Sequence, residues 1–92
     1  MYAIKSSTVT STGAISSGPS RLLSVYAVCG ASAGQIILKD GGATGTTLMD
    51  LATPAGATLT INLSVPDEGI RFATDLHLST LSNVTSLTVL YA

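Results

Sequence analysis

Few residues in this chain could do chemistry. His77 is the single histidine and Cys29 the single cysteine, so the chain cannot assemble a set of imidazole or thiolate ligands around a metal. His77 stands between Leu76 and Leu78 in an alternating stretch, which turns it away from its apolar neighbours. A trimer axis would gather three copies of it, but a strand position facing solvent or an interface accounts for it without any ligand. Cys29 sits in an apolar run, where a thiol packs as a small hydrophobe. Asp67 and Glu68 are adjacent in a turn rather than opposed across a cleft, which suits solvation and not paired acid/base work. The loop Asp40-Gly41-Gly42-Ala43-Thr44-Gly45-Thr46 has the glycines of a phosphate cradle. It lacks a lysine after the last of them and leads into a strand instead of a helix, so it reads as a hairpin loop. Asn62-Leu63-Ser64 and Asn83-Val84-Thr85 match the glycosylation sequon, which has no meaning without a secretory signal. Arg71 is left as the charge of most interest, either paired across the turn with Asp67 or Glu68 or held for a carboxylate on a partner. No catalytic residue, metal site or cofactor is expected, and the chain is not expected to be an enzyme.

The composition points the same way. The 92 residues are 46% hydrophobic and only 10% charged, with a net charge of -1 and a mean hydropathy of +0.52. Average globular proteins carry roughly 25% charged residues, so this surface is poor in charge, which is best explained if part of it is covered by a partner or by copies of itself. Lys5, Arg21, Lys39 and Arg71 are dispersed and make no footprint for a phosphate backbone, so nucleic acid is not an expected partner. The longest apolar runs, such as Ile36-Ile37-Leu38, fall far short of a bilayer span, and Ser6, Ser7 and Thr8 stand where a signal peptide would carry its apolar core. Neither membrane attachment nor secretion is expected.

These residues must be positioned by strands. From Ala57 to Val65 the sequence alternates without fault, setting Leu59, Ile61, Leu63 and Val65 against Thr58, Thr60, Asn62 and Ser64, the period of a half-buried strand. Pro66-Asp67-Glu68-Gly69 then reverses the chain. Gly34–Asp40 and Thr46–Ala52 read as a hairpin about Gly41-Gly42, and Thr53-Pro54-Ala55-Gly56 as the next turn. Ile70–Leu78 and Val84–Tyr91 each read as one strand. Arg21–Gly30 is apolar on both faces, with Leu23, Val25, Ala27 and Cys29 on one side and Leu22, Ser24, Tyr26 and Val28 on the other, and is therefore central or interfacial. Residues 1–17 read as an extended N-terminal arm or edge strand, and residues 18–92 as a single β-sandwich domain. With turn chemistry between short strands and no helical period, the chain is all-β: an antiparallel β-sandwich, jelly-roll or immunoglobulin-like, of about seven or eight short strands.

One series of elements has a wider likeness. The run Ile37-Leu38-Lys39-Asp40-Gly41-Gly42-Ala43-Thr44-Gly45-Thr46, the proline turn, the alternating strand, Pro66-Asp67-Glu68-Gly69-Ile70-Arg71-Phe72 and the final Val84–Tyr91 resemble small structural proteins of tailed bacteriophage virions, over roughly residues 20–92. The resemblance implies a capsid decoration or cement protein that docks on the assembled shell as an oligomer, often a trimer. Its partners would be the major capsid protein and copies of itself, its place the virion surface after synthesis in the host cytoplasm. That group carries no catalytic residues to transfer.

Clamping shell subunits requires a rigid domain, a low-charge surface and an extended segment able to drape over a partner. The candidate capsid or subunit interface residues are accordingly Tyr2, Ile4 and Val9 of the arm, Leu22, Tyr26 and Val28 of the two-faced strand, and Arg71. Loss of Met1 to Thr10 should then weaken attachment and leave the domain folded. The alternative is a phage tail or fibre component that binds a host surface. It ranks second because Phe72 and three tyrosines, with no tryptophan, offer little aromatic platform for a glycan. A cellular binding module is a third reading.

Overall fold

A computed structural model describes residues 4–57, 59–66 and 69–92. Nine strands follow one another: β1 Lys5–Val9, β2 Gly13–Ser16, β3 Ser20–Cys29, β4 Gly34–Asp40, β5 Thr46–Thr53, β6 Thr60–Ser64, β7 Ile70–Phe72, β8 Leu76–Ser82 and β9 Val84–Tyr91. Sheet A runs β1-β9-β3-β6, with β7 also paired to β3, and sheet B runs β2-β8-β4-β5. Every pairing is antiparallel. The pairs are nested, β1 with β9, β2 with β8, β3 with β6 and β7, β4 with β5, as though one long hairpin had been rolled up. That is a jelly roll, and it separates the two sandwich types the sequence left open.

Alternation supplies the core. Leu22, Val25, Ala27, Phe72, Leu87 and Val89 project inward from sheet A and Ile36, Leu38, Leu76 and Leu78 from sheet B, all of them fully buried. Cys29 is buried at the end of β3 as a free thiol. At the start of β4 the neighbouring strands of sheet B approach so closely that only glycine fits: a Cβ on Gly34 would lie 1.8 Å from the Ser82 carbonyl oxygen.

Register shifts interrupt several pairings, and two departures from simple alternation decide which residues reach the core and where the chain changes sheet. In β3, Leu22 lies opposite Tyr91 but Ser24 lies opposite Leu90, so Leu23 is an extra residue on the β3 side. This β-bulge resets the phase and sends Leu22, rather than Leu23, into the core beside Val25. Ile70–Leu78 is two strands and not one: β7 belongs to sheet A and β8 to sheet B. The four-residue step from Phe72 to Leu76 preserves parity, so a continuous alternation conceals a crossing between sheets. The crossing is pinned by Asp40, whose carboxylate accepts hydrogen bonds from the main-chain N–H groups of Ala73, Thr74 and Asp75 at 3.0, 2.8 and 3.2 Å. Asp75 answers by accepting from the N–H groups of Gly41 and Gly42 at 2.8 and 3.1 Å. The two glycines have φ of +103° and +81°, a conformation that aims consecutive N–H groups at one anion.

Candidate docking face and arginine pair

The outward side of sheet A is set by register. Tyr26 in β3 stands opposite Thr88 in β9 and Asn62 in β6, and Thr8 in β1 completes the row. The Thr8 and Thr88 hydroxyls share a 2.8 Å hydrogen bond. One row away, Leu90 is flanked by Ser6 and Ser24, with Ser64 beyond; on the other side, Val28 lies between Ser86 and Thr60. None of these side chains is charged. Tyr26 is 43% exposed and Leu90 37%, so the centre of the face is one aromatic ring and one aliphatic chain in a frame of hydroxyls and an amide. Such side chains pack against a partner without the desolvation cost of buried charge.

At one end of the same face two cations meet. Arg21 of β3 and Arg71 of β7 are directly opposed. Ser20, Leu22 and Phe72 point inward beside them, so both guanidiniums lie on the outward side. The main chain of Arg21 also pairs with Ala92, its N–H donating to the Ala92 carbonyl at 2.8 Å and its carbonyl accepting from the Ala92 N–H at 3.0 Å. Pro19, Ser20, Arg21, Arg71 and Ala92 line an open depression of about 290 Å³. Sheet strands rise about 3.4 Å per residue, which puts the pair roughly 16 Å from Tyr26 along β3.

Sheet B presents a different exterior. Lys39 lies between His77 and Thr47, Ile37 between Thr80 and Asp50, and Gln35 between Ser82 and Ala52. Gln35 donates to Asp50 at 2.8 Å, and Lys39 donates to the Ala43 carbonyl at 3.1 Å. His77 is half-buried on this exterior, opposite Ala14 as well as Lys39. Among the described residues no group of three or more His, Cys, Asp or Glu side chains could hold a metal, and no helix is long and apolar enough to cross a membrane.

The sequence-derived interface residues separate into three groups. Tyr26, Val28 and Arg71 share the outward side of sheet A, and Ile4 is 63% exposed just before β1. Leu22 is corrected, being fully buried because of the bulge. Val9 is half-buried on the edge strand, where it stands opposite Leu87 and packs on the core. Since β1 is a strand of sheet A, removing Met1 to Thr10 would expose β9 and part of the core, so the expectation that the domain survives this truncation is withdrawn. Tyr2, Asp67 and Glu68 lie outside the described residues, and with them the middle of the Pro66–Gly69 turn, whose ends are joined by a 3.2 Å hydrogen bond from the Gly69 N–H to the Pro66 carbonyl. Arg21 joins the site only through its pairing with Arg71. Its only signal was that it precedes an inward Leu22, and that phase was itself obscured by the bulge. Comparison of the chain with family models, with curated proteins and with solved structures finds no match.

Proposed function

We propose that the protein is a non-enzymatic virion structural protein that decorates and stabilises a bacteriophage capsid as an oligomer, docking through the outward side of sheet A. The observation that carries the reading is the uncharged patch around Tyr26, Val28 and Leu90, on a protein that has little charge anywhere. The capsid as partner comes from the resemblance of the 37–46 and 66–72 segments to phage virion proteins. The jelly roll agrees with it by analogy, since that fold recurs in viral shells.

Size argues for more than one copy. Four strands about 4.8 Å apart and five residues deep span a plane of roughly 300 Å². A stable interface buries about 800 Å² per partner, so one such face binds weakly by itself. A set of copies held together on a repeating shell multiplies weak contacts through effective concentration.

The test is quantitative mass spectrometry of purified particles from the protein's source, against the major shell protein. A copy number near that of the shell protein is expected. A number many-fold lower would move the protein to the tail, and absence from particles would end the virion reading.

A further inference from the structure

Directly opposed like charges destabilise a strand pair, yet Arg21 and Arg71 are such a pair, on strands whose register is fixed by the buried Ser20, Leu22 and Phe72. Among the described residues every acidic side chain is committed elsewhere: Asp40 and Asp75 to main-chain N–H groups, Asp50 to Gln35. Arg21 and Arg71 line an open depression together with Pro19, Ser20 and Ala92. Guanidinium forks match the two oxygens of a carboxylate, and a second arginine completes the match from the other side.

We propose that Arg21 and Arg71 form a carboxylate clamp that takes an acidic side chain of the shell partner. The assignment of the partner rests on the docking reading above; the clamp itself does not. A protein carboxylate is favoured over a phosphate-bearing ligand because no further lysine or arginine of the described residues stands on the outward side of sheet A to follow a phosphate chain. The clamp would fix register on the shell while the area around Tyr26 supplies contact surface.

The experiment titrates the isolated, isotope-labelled protein with succinate and follows the arginine side-chain N–H resonances by NMR. Saturable shifts of both Arg21 and Arg71 are expected. Arg71→Gln or Arg21→Gln should weaken succinate binding by about tenfold. Arg71→Lys, which keeps the charge but not the fork, should weaken it nearly as much. Absence of a response in the wild-type protein overturns the clamp, and if Asp67→Asn/Glu68→Gln then restores binding, the turn acids already occupy the forks. Tighter binding of inorganic phosphate than of succinate would overturn the choice of carboxylate. Succinate binding without any loss of particle attachment in the two Gln variants would overturn the choice of partner. If the protein is absent from particles, the docking reading fails while the titration still decides the clamp.

Discussion

The two exteriors of this sandwich are built by the same alternation and yet hold different side chains. On sheet B, Lys39, Asp50, Gln35 and His77 face outward, and three of them are tied into local hydrogen bonds. On sheet A the rows through Tyr26, Val28 and Leu90 carry hydroxyls, one amide and apolar groups, and among the described residues charge on this side is confined to the arginine pair at one end. Charge left in water costs nothing and keeps a surface soluble, whereas charge at the centre of an interface must be desolvated. The contrast is what the proposed docking reading uses, with sheet B left to solvent and sheet A covered by the partner.

The sharpest way to separate inside from outside is within β3 itself. Leu22→Ala should cost about 3 kcal/mol, as expected for a leucine truncated in a packed core, while Val28→Ala, on the outward side, should cost less than about 1 kcal/mol. Urea denaturation of the two variants reads both. Equal losses would mean that the bulge at Leu23 is absent and the faces of β3 are wrongly assigned.

Next in size is the effect on attachment. Tyr26→Asp places a charge at the middle of the uncharged side and should reduce binding to particles by about 100-fold, or roughly 2.7 kcal/mol, with little change in melting temperature. Lys39→Glu on sheet B should change it less than about twofold. Co-sedimentation with particles stripped of the protein compares them, and a larger loss in Lys39→Glu would reverse the two sides.

A smaller effect lies at the loops that join the sheets. Hydrogen bonds from the Thr74, Asp75 and Ala73 N–H groups, the first the strongest, hold the Asp40 carboxyl below its ordinary value of 3.8, against a smaller opposing effect of burial. A carboxyl whose folded pKa is lowered stabilises the fold above its unfolded pKa, and that contribution is lost as the pH falls through the folded value. Melting temperature should therefore fall for the wild-type protein as the pH drops below about 4, while Asp40→Asn starts lower and approaches it in acid. Parallel curves would remove Asp40 as the pin of the 73–75 crossing.

The smallest effect concerns Thr53, whose buried hydroxyl has no hydrogen-bond partner among the described residues. Thr53→Val removes that unsatisfied group at nearly constant volume and should be neutral or stabilising by up to about 1 kcal/mol. A clear loss in thermal denaturation would show that the hydroxyl has a partner.

Much of this fold can be read from local pattern. The strands β6 and β9 follow from the alternation of Ile61 with Asn62 and of Leu87 with Thr88, because side chains on a pleated strand repeat every two residues. What could not be read has a common cause, which is that it depends on residues distant in the chain. The bulge at Leu23 is defined only against Tyr91 and Leu90. The division of Ile70–Leu78 depends on Asp40, more than thirty residues earlier. The arginine pair joins positions 21 and 71 across two strands, and no local pattern records such a meeting. Of the proposed interface, Tyr26 and Val28 stand out in the sequence because their strand is apolar on both faces, and Arg71 as a charge open to a partner, whereas Leu90 and the Thr8–Thr88 row become part of one surface only through register.

Hydroxyl-radical footprinting of the protein free and bound to its particles tests the difference between the two sides most directly. Tyr26 and Leu90 should be protected on binding, while His77 and the 36%-exposed Leu48 are oxidised as in the free protein. Protection of His77 and Leu48 with Tyr26 left reactive would contradict docking through sheet A.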